Sequence, residues 1–400
     1  MPYCRAQAIT AVPFGAVSEV PTGEVTEPMS KLTGSAARLR DGLRATLPAW
    51  LFAHAFVLAV CWVIAPRGVF SPLFAWDTRW YLVEANGMVH GGPVFTDTFS
   101  SGGLAHFFPL TSLCVAGLAI VTRLPVTFVL FAFCWAFAWL FGALVHMIAT
   151  RETGNQVTAS RSAWLSQLAP GGFALLMGYT EPLADVLAAL YFLAIRRRRT
   201  GWAFLVGLLA GLSRPTGIVL ALAGLIEAVR AAHQAGWTPR SIAAGLARTA
   251  SPVLGLLAYL VYCQVHFQDW VLPYSQQVAS DNRGAVTQNP FTTIQGLLAG
   301  DSEGILFSSL ACALIAIAGL VRCVRLLPAS FTAWSAVMFV LGVTSPQFSS
   351  EPRYLAAIIP LLIGLAALLR SRWAWYGFLV IDLALLWWVS WLALTMRAVA

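Results

Sequence analysis

Charge is scarce in this chain. Only 10% of its 400 residues are Asp, Glu, Lys or Arg, against 58% hydrophobic, and the mean hydropathy is +0.74. A soluble domain carries roughly 25% charged residues because its surface must be solvated, so an ordinary water-soluble enzyme is excluded. CxxC pairs and Cys/His clusters are missing; the seven cysteines lie mostly inside apolar runs and read as small buried hydrophobes, not disulfides or zinc ligands. A Gly-rich phosphate loop is missing too, which disfavours a nucleotide-sugar donor. No repeat of fixed period occurs, and the first residues lack the apolar core of a signal peptide. The net charge of +8 and pI of about 9.4 do not point to nucleic acid. The arginines fall in short clusters between apolar runs, the arrangement that orients membrane spans.

What is present is a succession of apolar runs. They lie near Trp50–Pro66, Val126–Ile148, Ala163–Gly178, Leu183–Ile195, Trp202–Leu212, Thr216–Val229, Pro252–His266, Ile305–Val321, Ala329–Val343, Tyr354–Leu369 and Trp373–Leu394. A spanning helix needs ~20 apolar residues, so the expectation is an all-α polytopic membrane protein of about eleven transmembrane helices. Residues 1–45 are expected as a disordered cytoplasmic tail, Pro/Thr/Ser/Glu-rich to about Gly34 and basic at Arg38, Arg40 and Arg44. Residues 46–400 form the membrane domain.

A further run, Phe107–Leu124, decides the orientation. If it crosses, the densest basic cluster, Arg196–Arg199, lies outside. If it is re-entrant or interfacial, Arg151, Arg161, Arg196–Arg199, Arg230, Arg240, Arg248, Arg322, Arg325, Arg370 and Arg372 all fall on the cytoplasmic side, as the positive-inside rule asks. The second reading is adopted. It gives outer loops at about 67–125, carrying interfacial or re-entrant helices, and at about 267–303. Asp77, Glu84, Glu181, Arg214 and the stretch from Gln347 to Arg353 then converge on the outer face. Charges at membrane depth need partners or a wet cavity, so the convergence predicts one extracytoplasmic site.

Four motifs could carry chemistry. Trp76-Asp77-Thr78-Arg79-Trp80-Tyr81 is followed by Glu84 and, after a spacer, by His106-Phe107-Phe108-Pro109. Aromatic rings stack on the apolar face of a sugar, and a carboxylate beside them can take a hydroxyl proton. The same residues also fit an interfacial helix with Asp77 as its N-cap and Trp76, Trp80 and Tyr81 as anchors. Gly178-Tyr179-Thr180-Glu181-Pro182 has Asp185 one turn on, with both carboxylates on one helix face; capping alone would account for Glu181 but less well for Asp185. Ser213-Arg214-Pro215-Thr216-Gly217 and Glu351-Pro352-Arg353-Tyr354 each offer an arginine. Such arginines can clamp a phosphate, or else snorkel or pair with Glu181 or Glu351.

Taken together and in this order, the motifs resemble the GPI mannosyltransferase II (PIG-V-like) family and, more broadly, the GT-C superfamily of membrane glycosyltransferases. The stretches WDTRWYLVEANGM, AHFFPLTSL, YTEPLAD, SRPTG and EPRYL carry the resemblance, which runs from about Phe74 to Leu362. Met88 stands where the family has Tyr, His106 interrupts its Ala-Phe-Phe-Pro, and Thr111-Ser112 replaces a Tyr-Pro; these departures bear on the exact substrate. The resemblance implies a GT-C-like fold and an inverting mannosyltransferase. Its donor would be a polyprenyl-phosphate sugar and its acceptor a lipid, glycolipid or glycan hydroxyl outside the cytoplasm. It implies Asp77 as general base. Donor or acceptor contacts would come from Trp76, Arg79, Trp80, Tyr81, Glu84, His106, Tyr179, Glu181, Arg214, Arg353 and Tyr354. No cofactor is expected, because arginines can stabilise a departing phosphate. Asp301-Ser302-Glu303 offers carboxylates for a metal, but its spacing arises easily in a solvated loop. The site would face outward from the plasma membrane of a bacterium or into the endoplasmic reticulum of a eukaryote. A competing reading is a transporter or lipid-linked sugar flippase, favoured by Asp382 in the last span. A third, a non-catalytic assembly subunit, sits poorly with Asp77.

Overall fold

The computed structural model describes residues 29–91, 104–278, 287–300 and 304–397. The chain divides into Met1–Ala37, of which only the beginning of the first helix is described, and Arg38–Ala400, which carries the fold. Among the described residues every regular element is helical. Most of the tail expected over residues 1–45 lies outside the described residues, but α1 (Met29–Ile64) begins within it.

After α1 come α2 (Asp77–His90), α3 (Leu110–Thr122), α4 (Val126–Thr153), α5 (Gln156–Leu168), α6 (Glu181–Arg196), α7 (Thr200–Ser213), α8 (Leu220–Ala235) and α9 (Pro239–Phe267). The short α10 (Leu272–Val278) and α11 (Pro290–Gly300) precede α12 (Ile305–Leu326), α13 (Ala329–Val343), α14 (Glu351–Ala356), α15 (Ile359–Leu368) and α16 (Arg372–Leu394). Helix α6 is apolar nearly all round and buried along nearly all its length, which marks it as the central helix of the bundle. The run expected over Ala163–Gly178 is broken. Ala169 leads into Pro170, helix α5 stops there, and a 3-10 turn over Pro170–Leu175 replaces the remaining α-helix, since proline disfavours helical geometry in the residue before it.

The helices run between two ends of the bundle. At one end Arg196 pairs with Glu152 (2.9 Å) and Glu227 (3.3 Å), Ser330 donates to Glu227, and Arg161 donates to the carbonyls of Leu369 and Arg370. The last turns of α4, α6 and α15 and the first turns of α5 and α13 therefore share a basic end. At the other end Trp76 donates to the Ala393 carbonyl at the close of α16, and Ser309 near the start of α12 donates to Phe348 before α14. Followed from end to end, the described chain makes eleven passes: α1, α4, α5 with its 3-10 turn, α6, α7, α8, α9, α12, α13, the α14–α15 pair and α16.

Six helices are long and apolar enough to cross a membrane singly, in α1, α4, α8 with its lead-in turn, α9, α12 and α16; the α14–α15 pair, bent by 76°, makes a seventh. The chain is thus an integral, multi-pass membrane protein. The other passes are shorter than a spanning helix: α5 has 13 residues, α6 16, α7 14 and α13 15. Helices α5 and α6 are enclosed by protein and need not match the ~30 Å of hydrocarbon that a lipid-facing helix must, whereas α7 and α13 are short while keeping exposed apolar faces.

Helices α2 and α3 lie between two ends that coincide, since α1 closes and α4 opens away from the basic end. The Phe107–Leu124 run accordingly starts and finishes on one side, as α3, whose 13 residues reach only about 20 Å. With the basic end cytoplasmic, a cysteine placed at Arg123 in a cysteine-free protein is expected to react with a membrane-impermeant reagent added outside, and one at Arg198 is not. Outside labelling at Arg198 would reverse the orientation.

Candidate active site

Four sequence-distant segments meet at the end away from the arginine clusters. Arg353, on α14, is 3% exposed. Its Nη1 donates to Asp77 Oδ2 at 2.9 Å, and its Nε lies 3.2 Å from Glu181 Oε1. The same Glu181 oxygen is 3.1 Å from Nη1 of Arg214. An unbroken chain of alternating charge, Asp77–Arg353–Glu181–Arg214, therefore links α2, α14, α6 and the break after α7. The aromatic residues close around it. The Arg353 guanidinium lies 5.1 Å from the Tyr179 ring and 5.2 Å from that of Tyr354, and Arg214 lies 5.8 Å from Tyr354. Asp185 extends the network, within electrostatic reach of Arg214 and Glu181.

Local backbone chemistry sets these side chains in place. Asp77 does not cap α2; the cap position is Trp76, and Asp77 opens the first turn. Trp76 has φ 53° and ψ −130°, a conformation that costs a non-glycine residue about 1–3 kcal/mol and persists only where packing enforces it. The hydrogen bond from its indole Nε1 to the Ala393 carbonyl (2.8 Å) supplies part of that enforcement. Glu181 is likewise not a cap but the first residue of α6, after Thr180. Gly171 lets the 3-10 turn touch α14: a Cβ there would lie 2.2 Å from the Pro352 carbonyl oxygen, so no larger residue fits beside the segment that carries Arg353. Gly178 is confined in the same way between Leu130 and Thr78.

The other predicted residues divide. Asp77 keeps 28% of its side chain exposed and Arg214 16%, so the network is open at those two groups and closed at Arg353 and Glu181. Tyr179, 1% exposed, and the half-buried Tyr354 belong to it. Arg79 is exposed and lies over the Trp80 ring at 5.5 Å. Tyr81 is not an interfacial anchor; it is buried edge-on against Phe107 (5.3 Å) with Leu104 beside it. His106 packs on Phe107 at 4.1 Å. Glu84 is fully buried and accepts from Ser112 at 2.6 Å. Burial holds its carboxyl well above the usual carboxylate range against the opposing pull of that hydrogen bond. Snorkelling is ruled out for Arg353, whose partners are Asp77 and Glu181; Glu351 is buried without a hydrogen-bond partner among the described residues. Asp97, a further acid of the first outer loop and with Glu84 a fallback candidate for the base, and Asp301-Ser302-Glu303 lie outside the described residues. Among those described, no three His, Cys, Asp or Glu side chains converge as metal ligands.

Sequence reasoning missed the hydroxyl scaffold beneath the charges. Thr78 Oγ1 accepts from the Gly178 amide at 3.1 Å, Thr111 donates to Thr180 at 2.9 Å, and Thr180 donates to the Ser213 carbonyl at 3.2 Å. Each of these residues sits within or beside a motif, but short-range patterning carries no signal for which hydroxyl meets which partner.

No family model and no curated protein matches the chain. Solved structures do. The Archaeoglobus fulgidus oligosaccharyltransferase tethered to an acceptor peptide superposes with a TM-score of 0.47 at 14% identity, over 88% of this chain and 55% of that one. The archaeal oligosaccharyltransferase AglB from the same organism, in complex with an inhibitory peptide and a dolichol-phosphate, gives 0.46 at 14% identity, over 89% and 56%. The A. fulgidus enzyme with zinc and sulfate gives 0.46 at 16%, over 88% and 53%. The present chain thus spans a little over half the length of those proteins. At that identity and TM-score the likeness transfers no chemistry, and function rests on the residues of the site.

Proposed function

We propose that the chain is an inverting glycosyltransferase, specifically a mannosyltransferase. It would move a sugar from a polyprenyl-phosphate donor to a lipid, glycolipid or glycan hydroxyl on the extracytoplasmic face. The observation that carries the proposal is the Asp77–Arg353–Glu181–Arg214 chain, assembled from the four motifs that resemble the PIG-V-like family.

Each member has a distinct task. Arg353 occupies one carboxylate oxygen of Asp77. It thereby fixes the direction of the carboxylate, while the exposed side of Asp77 takes the proton of the acceptor hydroxyl. Glu181 holds both arginines at a set spacing. Arg214 retains exposure and carries a single carboxylate partner at ion-pair distance, so it is the arginine that meets the donor phosphate. Attack by the activated hydroxyl on the anomeric carbon, with departure of the lipid phosphate toward Arg214, inverts that centre and converts a β-linked donor into an α-linked product.

Arg214→Lys tests this division of labour. Lysine keeps the charge and loses the planar two-pronged donor. The expected result is a donor KM raised about tenfold with kcat changed much less, the pattern of lost ground-state binding. An unchanged donor KM would remove the phosphate from Arg214.

One observation favours a transporter or flippase instead. Asp382 is 2% exposed in the middle of α16 and lines a cavity of about 40 Å³ with Cys312, Pro352 and Leu362, among others. Its Oδ2 finds no hydrogen-bond partner among the described residues. The rest of that lining is apolar, so the cavity offers neither a chain of polar groups for an ion path nor enough partners to satisfy the carboxyl through a water. Asp382→Asn is therefore expected to leave sugar transfer within about twofold and to stabilise the fold, because a buried, under-satisfied acid costs about 1–3 kcal/mol. Abolished transport of a lipid-linked sugar in that variant, with transfer absent from the wild type, would favour the second reading.

A further inference from the structure

The basic end of the bundle holds a cavity of about 650 Å³, walled by α1, α4, α5 and the turn after α6. Among the described residues its lining holds Arg38, Arg151 and Arg197 with one acid, Asp41, and includes His146 and Thr150. Its size falls within the roughly 300–1,000 Å³ of small-ligand sites. We propose that this cavity binds the phosphodiester headgroup of an anionic phospholipid.

Three features support a phosphate-bearing occupant. The first is charge, three guanidiniums to one carboxylate in the lining. The second is how far the neighbouring acids are already engaged. Glu152 pairs with Arg151 (3.4 Å) and Arg196 (2.9 Å), while Glu227 pairs with Arg196 and Arg230 and accepts from Ser330. The local acids are therefore shared among more than one cation each. The third is preorganisation: Arg151 also donates to the Arg196 carbonyl at 2.9 Å, which fixes its guanidinium at the rim.

A lipid is favoured over a free phosphate by where the membrane boundary falls on α1. Arg40 and Arg44 are exposed beside the level of Arg38 and Asp41, and the next exposed positions along that face are Leu47 and Leu51. Charge gives way to apolar surface within two turns, which puts lipid headgroups at the depth of the cavity. Basic pockets between membrane helices on the cytoplasmic side bind lipid headgroups for this reason. The cavity lies at the other end of α6 from Glu181, about 24 Å away along the helix, and the proposal does not depend on the chemistry assigned there.

The test uses the full chain reconstituted in phosphatidylcholine vesicles containing phosphatidylglycerol. Lipid retained by the purified protein is counted by native mass spectrometry. The wild type is expected to enrich phosphatidylglycerol over phosphatidylcholine. In Arg151→Gln/Arg197→Gln the enrichment should fall roughly 30-fold, about fivefold for each charge removed. Arg322→Gln/Arg325→Gln, which alters basic residues outside the cavity, should behave as wild type. Should the double variant fail to insert, Thr150→Glu places a repelling charge in the cavity without removing an arginine and is expected to show the same loss. No enrichment in the wild type, or undiminished enrichment in a well-inserted cavity variant, would overturn the proposal. Displacement of the lipid by inorganic phosphate alone would overturn its lipid part and assign the cavity to a free anion.

Discussion

Asp77→Asn is expected to lower turnover by about 10²–10⁴-fold while donor KM stays within about threefold of wild type. A sugar hydroxyl is a poor nucleophile at neutral pH, and this variant loses the carboxylate's capacity to accept its proton together with the negative charge beside Arg353. The amide oxygen of asparagine still receives the hydrogen bond from Arg353, and Arg353 keeps its second carboxylate, Glu181. Membrane insertion should therefore change little, and thermal stability should fall less than when Arg353 itself is removed. Asp77 has no capping hydrogen bond to lose at the start of α2, so a fall in turnover cannot be assigned to fraying of that helix. Near-normal turnover in a well-inserted Asp77→Asn protein would remove Asp77 as the base. Glu84, fully buried against Ser112, does not face the acceptor, and the search would pass to Asp97.

Arg353→Met should have the largest effect on stability. The guanidinium is 3% exposed and stands between two carboxylates. Removing one partner of a buried ion pair leaves the others uncompensated and costs about 3–5 kcal/mol. The melting temperature in detergent should fall accordingly, and turnover should be lost. Arg353→Lys should fall between, since an ammonium is a point charge without the fork that reaches both carboxylates. Glu181 still pairs with Arg214, so in Asp77→Asn/Arg353→Met the charge left without its partner is gone, and part of the stability should return while turnover does not. A wild-type melting temperature for Arg353→Met would mean that the charge chain contributes nothing to the fold.

Much of this was legible in the sequence, for definite reasons. Apolar run length located the passes, and the arginine clusters expected on one side do gather at one end, where Arg196 at the close of α6 pairs with Glu152 of α4 and Glu227 of α8. The Phe107–Leu124 run was assigned to one side by charge counting, and the position of α3 between α1 and α4 agrees. The four motifs were expected to converge, and they do so through Asp77, Glu181, Arg214 and Arg353. Other features were not legible. Asp77 and Glu181 looked like caps, since an acid ahead of an apolar run reads the same whether its partner is a backbone amide or an arginine some 170–280 residues away. Tyr81 and Trp76 read as interfacial anchors, but one is packed on Phe107 and the other is tied to Ala393. Those partners are set by tertiary packing, on which local composition is silent. The run at Leu183–Ile195 is short for a span and reads as one only by its apolarity; α6 is buried along nearly all its length, so other helices take the place of lipid around it.

The central claim is sugar transfer, and one assay tests it most directly. Membranes containing the chain, and membranes from a strain lacking it, are supplied with polyprenyl-phosphate mannose labelled in the sugar. The lipid products are then separated and the new glycosidic linkage is determined. The account predicts label transferred to a lipid or glycolipid only where the chain is present, in an α-linkage, and lost in Asp77→Asn. Equal labelling with and without the chain, or a chain-dependent product that retains the β-configuration of the donor, would contradict it.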